Sequence, residues 1–253
     1  GRAVSGAMEW TDSGFILATR QHGETSLIVE AFTPVHGRHL GLVKGGRSAR
    51  LRAVLQPGNR ARLTWRARLS EHLGHFTVEA EGSRAADIMA DALALAGLNT
   101  LTALVRLLPE RDPHDQLFAL FERIADALPD RPGWLGDLAR FELRILAELG
   151  FGLDLESCAA TGATTELIYV SPKSGRAVSA AAGAPYAGRL LPLPAFLAEE
   201  GALPENAGAL HDAFALTGYF LDRDIYGPRA MSAPQSRERL LRLLRDAGAG
   251  AAP

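Results

Sequence analysis

Residues 60–69 read Arg-Ala-Arg-Leu-Thr-Trp-Arg-Ala-Arg-Leu. Arg60, Arg62, Thr64, Arg66 and Arg68 alternate strictly with Ala61, Leu63, Trp65, Ala67 and Leu69, and a period of two is that of an extended chain, whose side chains change face at every residue. The spacing predicts a β-strand with one face apolar enough to enter a core and the other presenting four guanidinium groups in a row. Those groups repel one another unless an anion lies along them, which makes the face an expected track for phosphates. Trp65 falls on the opposite face from the arginines and is read as core, not as a platform for stacking bases.

Working outward, Phe15–Arg20, Leu27–Phe32, Arg38–Val43 and His75–Ala80 are further short β-type runs. They are punctuated by Gly23, Pro34 with Gly37, Gly45-Gly46, Pro57-Gly58 and Gly74. Five short strands within residues 8–83 predict a small closed barrel; an OB-type barrel is the natural candidate, and an SH3-like one would give much the same pattern. From Ala85 the period becomes helical: 85–108, 115–128 and 133–149 are rich in Ala and Leu, with prolines at 109, 113, 129 and 132 between them. A non-helical interlude holding a hairpin (166–170, then 176–179) follows, and helices resume at 194–200, 206–226 and 234–247. The expected class is therefore α+β, with a barrel over 8–83, a helical domain over 84–150 and 190–247, and an insert over 151–189. The tail from Ala247 to Pro253 is expected to fray.

Charge is sorted along this chain. Between Ala31 and Ser70 lie Arg38, Lys44, Arg47, Arg50, Arg52, Arg60, Arg62, Arg66 and Arg68 with no Asp or Glu, leaving 18 basic against 29 acidic residues elsewhere. The segment thus carries +9 beside a remainder of −11, an arrangement that draws a polyanion to one face, and nucleic acid is the commonest polyanion. A solvated basic surface is the plainer alternative. The length of 253 residues and 47% hydrophobic content allow one large domain or two to three small ones, and a single cysteine, Cys158, excludes an intramolecular disulfide framework and fits a reducing compartment. The most apolar stretch, 92–105, is too short to span a membrane. Residues 1–7 lack the apolar core of a signal peptide and read as a cloning remnant ahead of Met8.

No catalytic constellation is visible. Lys44-Gly45-Gly46-Arg47-Ser48 has the wrong order for a phosphate-binding P-loop and reads as a flexible, glycine-hinged turn that lets its cations reach a backbone. The His36/His39 and His72/His75 pairs fall on strands or turns, where residues three apart face opposite ways, so they are not read as metal ligands. Cys158 lacks a local histidine and is read as a small buried thiol.

Several short words then acquire meaning from their shared order: Gly23-Glu24-Thr25-Ser26-Leu27, Lys44-Gly45-Gly46-Arg47, Leu55-Gln56-Pro57, Arg140-Phe141-Glu142-Leu143 followed by Leu149-Gly150-Phe151-Gly152-Leu153-Asp154, and Ser236-Arg237-Glu238 with Leu240 and Leu241. Over residues 8–244 the chain resembles RecO, the bacterial recombination mediator family. The resemblance implies an OB-fold DNA-binding domain, a helical domain and a zinc-finger-like element. It further implies binding of single- and double-stranded DNA, strand annealing, engagement of the acidic C-terminal tail of single-stranded DNA-binding protein, and work with RecR to load RecA.

The chain departs from that pattern at the metal. Zinc-binding members carry two Cys-x-x-Cys pairs, whereas here Cys158-Ala159-Ala160 is followed by Thr161 and the second region reads Val178-Ser179-Ala180-Ala181-Ala182. At most one thiolate remains, and the insert is expected to fold without metal or other cofactor. On 133–149, Arg140 and Arg144 lie four apart beside a helical apolar stripe of Leu138, Phe141, Ile145 and Leu149, and they are nominated to receive the acidic tail. The reading is thus a cytoplasmic, nucleoid-associated, non-enzymatic DNA-annealing protein with no membrane partner. An OB-fold RNA-binding module, an enzyme whose site lies in the helical domain and a pure protein adaptor are the rivals.

Overall fold

The computed structural model describes residues 8–130 and 132–250, and the side chains of 249 and 250 are not described. The remnant expected at 1–7 and residues 251–253 of the tail expected to fray lie outside the described residues, and residues 247–250 of that tail continue the last helix. The elements, in order, are β1 Met8–His22, β2 Ser26–Thr33, β3 Gly37–Val43, α1 Ala49–Val54, β4 Arg60–Ala67, β5 His75–Ala80, α2 Ala85–Met89, α3 Ala92–Val105, α4 Asp115–Ala127 and α5 Trp134–Glu148. Then come β6 Leu167–Val170, β7 Ala177–Ser179, α6 Ala180–Gly183, β8 Leu191–Pro192, α7 Ala195–Ala198, α8 Ala207–Leu221 and α9 Gln235–Gly250. They form two compact units, one running to Leu98 and including Thr102–Pro129, the other made of Asn99–Leu101 and the chain from Asp130 on. Among the described residues, no helix is long and apolar enough to cross a membrane.

In the first unit, five strands make a closed barrel in the order β1-β2-β3-β5-β4, with β4 returning to β1. Its ladders are antiparallel except for β3 with β5, which meet in parallel at Leu42 and His75. The period-two reading of 60–67 holds: Ala61, Leu63 and Trp65 are buried with Ile16, Val29, Ala31, Phe76 and Val78 in the barrel core. The strand ends at Ala67, so Arg68 and Leu69 belong to the turn that follows. Around Trp65, the Trp10 and Phe76 rings and His39 pack with centroids 4.8–6.1 Å apart. Burial, followed by the nearby Arg111 charge, lowers His39 to about 4, and its Nδ1 lies 3.0 Å from the Leu40 carbonyl. His39 is therefore a neutral core residue at pH 7. Gly37, the first residue of β3 at φ +63°, could not carry a side chain, since a Cβ would stand 2.1 Å from the Asp112 carbonyl oxygen.

In the second unit, α5 and α8 pack through Leu138, Phe141, Ile145, Phe214 and Phe220, all fully buried. A charge pair sits among them. Arg237 of α9 donates to both carboxylate oxygens of the fully buried Glu142 at 2.7 and 3.1 Å, and the Thr217 hydroxyl donates to the same carboxylate at 2.8 Å. Burial opposes the Arg237 charge, but Glu142 outweighs it and raises its pKa. The Arg-Phe-Glu-Leu and Ser-Arg-Glu words noted in the sequence are thus joined by one buried ion pair. The chain leaves α8 through a single π-turn at Asp222–Tyr226. The expected hairpin is β6–β7, extended by β8 on its other side.

The 44–52 segment is not only a loop. Gly45, at φ +67°, turns the chain, and the Ser48 hydroxyl accepts from the Leu51 N–H to cap α1. Leu51 and Leu55 then enter the barrel core. Asn59 secures this arrangement. Its side-chain amide donates to the Ala53 and Val54 carbonyls (3.0 and 3.3 Å), and its Oδ1 accepts from the Arg84 and Ala85 N–H groups, both at 3.0 Å. Its own carbonyl accepts from Ile16 N–H at 3.0 Å. One residue, 1% exposed, thus ends α1 and starts α2 with its side chain and ties both to β1 through its own carbonyl. Asn59→Asp keeps the acceptor but loses both donors and sets a carboxylate against two carbonyls, so we expect a loss of roughly 3 kcal/mol or more. Urea unfolding followed by tryptophan fluorescence measures it; a loss below about 0.5 kcal/mol would show that Asn59 does not hold the unit together.

Candidate nucleic-acid interface

The nine cations of the basic segment fall into two groups by position, five on β3, β4 and the turn after β4, of which Arg38, Arg60 and Arg66 meet carboxylates, and four on the β3–α1 turn and α1. Arg38, on β3, is internal: its guanidinium donates to Glu30 at 2.5 Å and to the Leu108 carbonyl at 2.9 Å, and Arg106 meets the other oxygen of Glu30 at 3.0 Å. Arg60, at the head of β4, donates to Glu122 of α4 at 2.7 Å, lies 3.5 Å from Asp126, and stacks over the Phe15 ring. Arg66 forms a two-pronged pair with Glu9 on β1, at 2.8 and 3.2 Å. Arg62 is exposed between Ser13 and Glu79 in the register, and Arg68 is exposed in the turn after β4. The protein itself supplies anions along most of the arginine face of β4.

The second group stands on the β3–α1 turn and on α1. Lys44, Arg47, Arg50 and Arg52 are all exposed, and none pairs with a carboxylate among the described residues. Arg47 is steadied by two contacts to the β1–β2 turn, its guanidinium donating to the Glu24 carbonyl at 2.6 Å and its N–H to the Thr25 carbonyl at 3.2 Å. The reason for the clustering is local. A six-residue helix that turns Leu51 inward must turn its neighbours outward, and here those are Arg50 and Arg52. Beside them a cleft of about 270 Å³ opens, lined by Thr19, Gln21, Leu27, Arg47, Arg52, Leu55 and Gln56. Thr19 and Gln21 carry no signal in the sequence because they are uncharged polar residues, and Gln56 stands out there only within the word Leu55-Gln56-Pro57. Arg20, an exposed cation on β1, lies eleven residues before the acid-free window, beyond Glu24 and Glu30, and so fell outside the basic segment.

In the helical unit the nominated pair serves the chain's own backbone. Arg140 donates to the carbonyls of Phe196, Glu199 and Ala202 and pairs with Asp137 at 3.1 Å, holding the segment after α7. Arg144, half-buried, approaches Glu200 at 3.6 Å. In the insert, hydrogen bonds from Thr161 and then from the Ser179 N–H pull the Cys158 thiol down to about 6, and the Ser179 hydroxyl accepts from the Ala182 N–H at 3.3 Å. Cys158, Thr161 and Ser179 meet here with one sulfur and two hydroxyls, a donor set that does not fit tetrahedral zinc. Among the described residues, no group of three or more His, Cys, Asp or Glu could hold a metal ion.

A five-strand sheet closed into a barrel, followed by a helical part, with uncompensated cations gathered at one edge, defines a mixed α+β protein. The family profiles described as Recombination protein O N terminal and Recombination protein O C terminal match residues 8–83 and 89–233. The "DNA repair protein RecO" of Mesorhizobium japonicum is 55% identical over 238 residues, covering 94% of each chain. That of Chelativorans sp. is 55% identical over 92% of this chain and 94% of its own, and that of Methylobacterium nodulans 53% over 93% and 98%. The chain belongs to the RecO family.

The two groups of cations differ in what their removal does to the fold. Arg38→Met leaves Glu30 buried with only Arg106, so we expect a loss of about 2–4 kcal/mol in chemical unfolding. Arg50→Gln should stay within about 0.5 kcal/mol of the parent. Equal losses for the two would contradict the division.

Proposed function

We propose that this chain is a DNA-binding and strand-annealing protein that acts in DNA repair as a recombination mediator. Membership of the RecO family supports the role in repair, and the names of its relatives support it further. The observation that carries the DNA reading is the group of four exposed cations, Lys44, Arg47, Arg50 and Arg52, with no carboxylate partner. Strands repel through their phosphates. A surface that neutralises phosphates on two strands, while leaving base edges free, lowers that repulsion and lets complements pair. Such binding depends little on sequence and weakens steeply with salt.

In this reading residues 8–83 form an OB-type DNA-binding domain, 84–150 with 190–247 a helical domain, and 151–189 an insert that uses hydrogen bonds in place of zinc. Arg62, Arg66 and Arg68 flank the primary contact, while Arg38 and Arg60 support it from within the fold. No enzymatic step and no cofactor are needed, because the work is charge neutralisation and positioning. The protein would bind single- and double-stranded DNA in the cytoplasm at the nucleoid, and act with RecR to load RecA at gaps coated by single-stranded DNA-binding protein. The acidic tail of that protein would dock on the helical domain, with Arg144 as the charge it meets and Arg140 shaping the segment beside it.

The test is an annealing assay with complementary oligonucleotides, comparing the parent with K44E/R47E/R50E/R52E. We expect the annealing rate to fall by roughly tenfold or more while the thermal midpoint is held. An unchanged rate in a folded variant would remove the β3–α1 edge as the DNA surface.

A further inference from the structure

We propose that the cleft beside α1 is a subsite for one unstacked nucleotide of a single strand, with the base inside and its phosphate held by Arg47 and Arg52 at the rim. The proposal rests on the DNA-binding reading and specifies what the site grips.

β1 carries a bulge between Ile16 and Ala18, after which Thr19 faces Val29 and Gln21 faces Leu27 across the β2 ladder. Val29 and Leu27 point into the barrel core, so Thr19 and Gln21 occupy inward positions as well. Inward positions of a small barrel are ordinarily filled and apolar. These two are polar and exposed, which means that the barrel interior opens to solvent here.

The opening is furnished for a nucleotide. The Thr19 hydroxyl and the Gln21 amide have no protein partner among the described residues. Gln56 spends its amide N–H on the Arg52 carbonyl at 2.8 Å and keeps its oxygen. Together these groups offer donors and acceptors to the edge of a base. Leu27 and Leu55 supply an apolar surface for its face. Arg47 and Arg52 add two cations suited to a phosphodiester, and no carboxylate lines the cleft. A free anion would use the arginines alone and leave the amides, hydroxyl and leucines without purpose. A volume of about 270 Å³ has room for a base with part of its sugar, and none for a base pair. Duplex DNA, whose bases are stacked and paired, is excluded unless it frays. Gripping a strand by one extruded nucleotide leaves the neighbouring bases free to find their complements.

The experiment uses the full chain and an oligonucleotide with a single 2-aminopurine flanked by adenines, whose fluorescence rises when the base leaves its stack. Saturating protein should raise the signal. In T19V/Q21L, which leaves every charge in place, the rise should vanish and single-strand affinity should fall roughly two- to tenfold, with duplex affinity unchanged. Q21E, which sets a carboxylate against the phosphate, should weaken single-strand binding further. Strong binding by the parent with no rise in fluorescence overturns the subsite and leaves the DNA reading intact, as does a T19V/Q21L variant that matches the parent. Absence of any oligonucleotide binding at low salt overturns the DNA reading itself, and the subsite with it.

Discussion

The hydrogen bonds of Asn59 are the constraint on which the barrel unit depends. A barrel of five short strands must close its ladder and also stop its ends, and the end beside α1 is stopped by Leu51 and Leu55. A helix of six residues has little stability of its own. Ser48 caps its start, and the Asn59 amide takes the carbonyls of Ala53 and Val54 at its end. The same side chain receives the first N–H groups of α2, so helix, strand and following segment are fixed at one point. The placement of Arg47, Arg50 and Arg52 follows from this, because the residues around a stopper that are not inside must be outside.

Charge compensation then selects which part of the basic segment can meet a ligand. A row of guanidinium groups on a strand calls for anions, and along β4 those anions are Glu9, Glu122 and Asp126 of the same chain. Exposed pairs of this kind contribute little stability, but they lower the positive potential that an approaching phosphate meets. The β3–α1 edge has no such partners. Its field is left for something outside the fold.

The alternation in residues 60–67 was legible because a strand buried on one face writes its period directly into the sequence, and Trp65 on the apolar phase is core as read. The presence of five strands and of the long helices followed from the same kind of signal, whereas the place of β5 between β3 and β4 did not. α1 was not legible: six residues are too few to show a period, and the glycines before them read as a loop. The carboxylates that meet Arg60 lie 62 and 66 residues away, and Arg38 reaches the Leu108 carbonyl 70 residues away besides the nearby Glu30, and no local pattern announces these contacts. The inward turn of Thr19 and Gln21 depends on a one-residue bulge, which reverses the phase of a strand without leaving a mark in composition. The family words had a physical basis that the sequence could not show, since Glu142 and Arg237 become a pair only when α5 and α9 are packed.

The central claim is that uncompensated cations at the β3–α1 edge, and not the arginine face of β4, take up the phosphates. The salt dependence of single-strand affinity counts them, because each phosphate neutralised contributes about 0.7 to the slope of log K against log salt concentration. That slope should be shallower by about 2 to 3 in K44Q/R47Q/R50Q/R52Q than in the parent. A slope unchanged by those four substitutions, in a protein that still folds, would contradict the account.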